Sequence, residues 1–287
     1  MDGVLIINKE KGWTSNDVVQ KVKHITGEKV GHTGTLDPLA AGVLPLLIGK
    51  GTSLSKYLIN HDKEYIATIK LGEKTDTGDR EGTVIEEKEV SDQIFNQETI
   101  EHALKTFIGE QNQTPPIYSA IKLNGKKLYE YARAGKQVKI EPRQINIYDI
   151  ELITFSKGEK EITYKVKCSK GTYIRSLCED IAIKLGTVGY MKELNRIQVG
   201  DFKLKQAIKI SEVQEKIESS LITFEKFFKN NDAIILNQKK ITLLYNGVNL
   251  NCNNKDGIYR VINEDGQFLC VGIVANHRLK RDIWIKN

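Results

Sequence analysis

The stretch Gly31-His32-Thr33-Gly34-Thr35-Leu36-Asp37-Pro38-Leu39-Ala40-Ala41-Gly42-Val43-Leu44 constrains this chain more than any other. Its glycines allow tight turns and let a large ligand approach the backbone. Its one acid, Asp37, is followed at once by Pro38. Asp37-Pro38 reads as a helix start, with Asp as N-cap and Pro at the first helical position. A simple cap does not require the small and apolar lead-in around Asp37. The same acid therefore also reads as a functional group whose partners lie elsewhere.

A chain of 287 residues is long for one core and predicts two domains, one large and one small. The large one is expected over 1–229 and the small one over 230–287, where short strands and turns take over. Lys+Arg 43 against Asp+Glu 37 gives a net charge of +6, a modest excess that fits a polyanion partner without requiring one. Cys168, Cys178, Cys252 and Cys270 form no C-x-x-C pair, and the histidines are scattered, so no zinc-like spacing exists. The cysteines read as reduced thiols of a cytoplasmic protein. The apolar run Val4 to Ile7 is too short for a signal peptide and lacks a basic n-region. No stretch approaches the apolar length of a membrane helix.

Val4 to Ile7 reads as a buried strand. Thr14-x-x-Asp17 resembles a capping box before a helix with Val18, Val19, Val22 and Ile25 on one face. Glu64 to Leu71 alternates as a strand, with Tyr65, Ala67, Ile69 and Leu71 together. Thr75 to Gly82 is a polar, acidic turn without calcium-loop spacing, and Val84 to Val90 is a candidate returning strand. Glu98 to Ile108 reads as a helix with Ile100, Leu104, Phe107 and Ile108 inward. The block Gln113-Thr114-Pro115-Pro116-Ile117-Tyr118-Ser119-Ala120-Ile121-Lys122 leads to the hairpin signal Asn124-Gly125. Lys126, Lys127, Tyr129, Tyr131 and Arg133 follow, a mixture that suits a nucleic-acid surface or a solvated hairpin equally.

Arg143 to Thr154 and Glu161 to Cys168 alternate like paired strands, and a helix follows with Ile174, Leu177, Cys178, Ile181 and Leu185 on one face. Tyr173 and Arg175 thus stand at a strand-to-helix junction. A cation in the first turn opposes the helix dipole, so Arg175 either extends into solvent or pairs with an anion. Met191 to Gly200 is a further strand or turn, and Leu194 alone reads as core.

Gly49-Lys50 is not a phosphate loop, because Leu44 stands where the first glycine belongs and Gly51 where Ser or Thr belongs. Gly31-His32-Thr33-Gly34 fits the bare G-x-x-G of a KH loop but opens on an Asp-Pro turn. A carboxylate, tyrosines and an arginine remain, with neither cofactor nor metal implied. Such groups suit a reaction without redox change. Isomerising uridine to pseudouridine is one: C1′–N1 breaks and C1′–C5 forms, with a carboxylate attacking C6 of the base or C1′ of the sugar. An adjacent arginine favours the ionised acid, and an aromatic ring holds the extruded base.

Gly31 to Leu44, Lys63-Glu64-Tyr65, Thr75 to Gly82 and Gly171-Thr172-Tyr173-Ile174-Arg175-Ser176-Leu177 together resemble the TruB-type tRNA pseudouridine-55 synthases. The similarity spans nearly all of residues 1–200. It implies an α+β pseudouridine synthase fold, a mixed, mostly antiparallel sheet with flanking helices, followed by a small β-rich PUA-like domain. It also implies Asp37 as nucleophile, Arg175 as its partner, and Tyr65 as the ring on the uracil and candidate C5 proton acceptor. Tyr173 and Leu194 are implied around the flipped base, His32 at the T-loop, and Lys9 beside the substrate. Residues about 110–140 become an RNA-contacting insertion. The implied partner is the tRNA T-arm, bound by a monomer with no protein partner, with help in tRNA folding as an added role. Two departures stand out: Lys9-Glu10 replaces the frequent Lys-Pro, and the tail beyond residue 230 carries no recognisable contact residues.

Overall fold

A computed structural model describes residues 1–59 and 61–285. Its larger sheet runs, edge to edge, Ile208–Lys209, Gly3–Lys9, Ala41–Ile48, Gly189–Val199, Lys63–Leu71, Glu161–Cys168, Arg143–Ser156 and Gly109–Gln113. Val30–His32 pairs alongside Ala41–Ile48, and Phe202–Lys203 alongside Gly189–Val199. Two of these pairings are parallel, Ile208–Lys209 on Gly3–Lys9 and Gly189–Val199 on Ala41–Ile48; the others are antiparallel. The fold is the expected α+β arrangement.

The alternation in Lys63–Leu71 translates directly into burial, with Tyr65, Ala67, Ile69 and Leu71 facing the core. Helices Ser15–Thr26, Gln97–Lys105, Ile174–Lys184 and Val213–Ser220 contribute to the same core. The first begins in the anticipated capping box, Thr14 and Asp17 bonding each other's backbone, and ends at Gly27 in the left-handed conformation.

Within Gly3–Lys9 the run from Val4 to Ile7 is apolar throughout because it is covered on both faces. Leu5 and Ile7 join the helix-side core, whereas Val4 and Ile6 join a second core on the reverse face. That second core includes Val43, Leu47, Phe224 and Phe228 and is completed by Phe268, Val271 and Ile283 from a separate sheet. The smaller sheet runs Ala233–Ile235, Gly257–Ile262, Phe268–Ala275, Arg278–Trp284, Leu250–Asn251. Lys56 and Tyr57 meet Asp282 across the joint, and Lys50 Nζ donates to the Ile285 carbonyl at 3.1 Å.

Several local expectations are corrected. Asp37-Pro38 starts no helix: the Ala40 N–H donates to the Asp37 carbonyl in a single turn, and the chain then extends into Ala41–Ile48. The helix near residue 98 stops at Lys105, so Phe107 is only partly buried and Ile108 lies exposed before the positive-φ Gly109. The returning strand spans only Val84–Glu87. Within the expected run of short strands and turns, Gln238–Tyr245 is a helix, capped by the Asn237 side chain, with Ile241 and Leu244 buried. Among the described residues, no helix is long and apolar enough to cross a membrane.

Candidate active site

Asp37 lies on the loop between Val30–His32 and Ala41–Ile48, and that loop is held from beneath. Arg196, 1% exposed, donates to the carbonyls of Val43 (2.7 Å), Gly34 (3.1 Å) and Thr35 (3.4 Å). Ser15 Oγ both accepts from the Leu36 N–H (2.9 Å) and donates to the Leu36 carbonyl (3.1 Å). Lys9, fully buried, donates to the carbonyls of Trp13 (2.7 Å), Glu10 (3.0 Å) and Pro38 (3.3 Å). Six backbone carbonyls from three parts of the chain thus solvate two buried cations, as burying charge requires. Burial lowers the Lys9 pKa to about 8 and lowers that of Arg196. Lys9 therefore stands under the loop, its ammonium directed at carbonyls, away from the substrate-facing place the resemblance implied.

Arg175 comes to Asp37 from the first turn of Ile174–Lys184. Its Nε lies 3.1 Å from Asp37 Oδ2, and its Nη2 donates to Asp37 Oδ1 at 3.5 Å. This is the anion that the unfavourable helix position demanded. The same guanidinium donates to the Tyr118 carbonyl (2.9 Å) and the Thr77 carbonyl (3.1 Å), and it stands 3.8 Å from Asp79 Oδ2. Asp79 is itself oriented by Thr77 Oγ1 (2.7 Å) and the Glu81 N–H (3.1 Å). Arg175 and Asp79 are each only 7% exposed at the side chain, whereas Asp37 keeps 35% of its side-chain surface open. Burial raises the Asp37 pKa; Arg175 opposes the rise and Asp79 adds to it. The arginine therefore moderates the protonation of Asp37 without reversing the effect of burial.

Tyr65 is buried in the strand beside Arg196, its register partner, whose charge acts on the phenol. Burial lifts its phenol to about 12. Leu194 occupies the same face two residues before Arg196 and is 6% exposed. Tyr173 caps the Arg175 helix at half burial, which raises its pKa. His32 ends the lead-in strand; burial and the Arg196 charge lower its pKa, so the ring is neutral near pH 7. Asp37, Tyr65, Tyr173 and Arg175 are near enough to share electrostatic influence. Sequence reasoning missed Asp79 and Arg196. The available signal for Arg196 was a charged residue at an inward strand position, in step with Leu194.

The architecture defines a class first. The chain superposes on a protein in a crystal structure of a Cbf5-Nop10-Gar1 complex with a TM-score of 0.68, covering 99% of this chain and 84% of that one at 23% identity, a likeness of fold. The TruB family pseudouridylate synthase N-terminal domain matches residues 21–174, and the tRNA pseudouridylate synthase B C-terminal domain matches residues 175–226. A tRNA pseudouridine synthase B of Clostridium novyi (strain NT) is 43% identical over 98% of both chains. One of Francisella philomiragia is 41% identical over 99% of this chain and 97% of its own length. The chain belongs to the TruB family of pseudouridylate synthases, and it is an enzyme of that class.

Proposed function

We propose that this enzyme converts uridine 55 in the T-arm of tRNA to pseudouridine, with Asp37 as nucleophile. The observation that carries this is the Asp37–Arg175 pair: a partly open carboxylate held by a buried arginine 138 residues later in the chain. Attack by the carboxylate on C6 or C1′ frees the base from its sugar. The base turns, C5 bonds to C1′, the Asp37 carboxylate leaves the carbon it had attacked, the C5 proton departs, and N1 is protonated, so atoms balance without a cofactor. Extruding the uridine costs a few kcal/mol, which ring contacts and electrostatics offset. A phenol near 12 stays protonated at neutral pH, which favours Tyr65 as a stacking surface over Tyr65 as the C5 base. Tyr173, Leu194 and the neutral His32 line the space around the extruded nucleotide.

The exposed Lys122, Lys126, Arg133, Lys136 and Lys139 make the 110–140 segment the natural contact for phosphates. In this reading the catalytic part is 1–229, residues 230–287 are a PUA-like accessory, and a monomer acts on free tRNA in the cytoplasm and also assists its folding. The test is tritium release from a T-arm transcript labelled at uridine C5, with binding measured in parallel. Wild type releases tritium, and Asp37→Asn loses at least ~10⁴-fold in rate while binding equally well. Tight binding without release by the wild type sinks the reading and leaves an RNA-binding module.

A further inference from the structure

The segment Gln113–Tyr118 joins the edge of the large sheet to the basic arm, and its polar groups engage the turn that carries Arg175. Gln113 ends the edge strand and is 5% exposed. Its side-chain carbonyl accepts the Tyr173 N–H at 2.8 Å, and its amide donates to the Tyr173 carbonyl at 3.0 Å. One side chain thus satisfies both backbone groups of a residue 60 positions away, as a neighbouring strand does. Tyr173 is the N-cap of Ile174–Lys184 but makes no side-chain capping bond, so Gln113 fixes this junction from outside.

The next residues continue the attachment. The Thr114 carbonyl accepts from Ser176 Oγ at 3.0 Å, and the Tyr118 carbonyl accepts from Arg175 Nη2 at 2.9 Å. Pro115 and Pro116, between these anchors, have fixed φ and no N–H, which stiffens the segment and removes competing bonds. A cavity of about 200 Å³, lined in part by Thr77, Ile117, Tyr118, Arg175, Ser176 and Glu179, lies against this segment. Polar bonds, more than close packing, therefore carry the connection there.

We infer that Gln113 is a positioning residue for the isomerisation: through Tyr173 it sets the helix turn from which Arg175 grips Asp37. The inference rests on the proposed roles of Asp37 and Arg175. It makes the root of the basic arm and the seat of the arginine one mechanical unit. Small misplacements of aligned groups cost ~100-fold in rate, so a lost anchor in this unit is readily measured.

The test uses full-length Gln113→Met, close in length but without hydrogen bonds, and Gln144→Ala, an exposed residue of the adjoining strand, as control. Single-turnover tritium release at saturating enzyme is followed across the acid pH range, with tRNA affinity and thermal midpoint on the same samples. The charged groups acting on Asp37 are Arg175, Asp79, Lys9 and Arg196, with the Tyr65 and Tyr173 phenols nearby. A loosened Arg175 opposes the burial of Asp37 less, so the acid limb moves to higher pH. Gln113→Met is expected to lose ~10-fold or more in rate, to bind tRNA within ~2-fold of wild type and to shift the limb upward. Gln144→Ala matches wild type. Should Gln113→Met fail to fold, Ser176→Ala, which removes the bond to Thr114, must shift the limb in the same direction. A wild-type rate and limb in the folded variants, or a loss confined to binding, overturns the inference. An inert wild type instead overturns the parent proposal.

Discussion

Asp37 works in a site whose electrostatics pull both ways. Burial and Asp79 favour its protonated form, whereas Arg175 favours the carboxylate, the form that the proposed attack requires. Its pKa is raised, so with Asp37 as the proposed nucleophile turnover is expected to fall as pH drops through a value above the ordinary aspartate range. Arg175→Met removes the stabilising cation and moves that limb further up. Asp79→Asn removes a neighbouring anion and moves it down. Rates measured against pH for both variants check the opposite signs; shifts in one common direction rule out this account. Lys9 gives a stability test. Its pKa falls from 10.5 to about 8 on folding, so between those values the unfolded chain binds more protons and stability rises with pH. Below about pH 8 this contribution to the slope vanishes. Urea midpoints across that window are expected to climb for wild type, and Lys9→Met is expected to lose that part of the climb. That variant also loses ~1–3 kcal/mol from the carbonyls left without their donor. Asp37 and Arg175 stood out as residues because an acid among small residues and a cation in a first helical turn each ask for a partner, whereas Tyr65 and Tyr173 took their roles only from the family resemblance. The places of Lys9, Asp79 and Arg196 were not legible, because a buried charge is defined by carbonyls and acids that only the folded chain assembles.

Elements were legible where the signal was local. The capping box, the alternation around Tyr65 and the Asn124-Gly125 turn each specify their own conformation; Asn124 and Gly125 have φ values of 51° and 82°. Asp37-Pro38 misleads because its helix-start chemistry is overridden by a long-range event, the parallel pairing of Asn195 with Ala41 and Arg196 with Gly42. Gly42 makes that pairing possible. Its φ is 110°, and a Cβ there stands 2.2 Å from the Arg196 carbonyl oxygen. Gly42→Ala is therefore expected to cost ~3 kcal/mol or more and to displace the Asp37 loop. Gly12→Ala also has positive φ, 84°, but meets open space, and only its backbone strain of ~1–2 kcal/mol remains. Chemical denaturation of the two variants separates the close approach from the strain, and equal losses count against the strand-pairing explanation. The helix Gln238–Tyr245 escaped notice for a related reason: Ile241 and Leu244 are too few apolar positions to establish a helical period, and burial against the small sheet selects the conformation.

At the scale of the molecule, the two sheets share a hydrophobic core as well as a polar joint. Val4, Ile6, Val43 and Leu47 on the reverse face of the large sheet form one cluster with Phe228, Phe268, Val271 and Ile283. Phe228 also meets Phe268 and Tyr57 edge-on, with ring centroids 6.5 and 5.3 Å apart. The strands under this cluster, Gly3–Lys9 and Ala41–Ile48, are the ones that lead to Lys9 and away from Asp37. Loss of the small sheet therefore uncovers the back of the Asp37 loop's own support. Phe268→Ala deletes a buried ring at the centre of this contact and is expected to cost ~3–5 kcal/mol. Because the core is shared, calorimetry of the wild type is expected to show one transition, and Phe268→Ala to lower that transition as a whole. Two separable transitions, with only one of them moved by Phe268→Ala, contradict a shared core. Tritium release well below the midpoint completes the test: near-normal turnover in Phe268→Ala means that the small sheet stabilises the loop's foundation without shaping the chemistry.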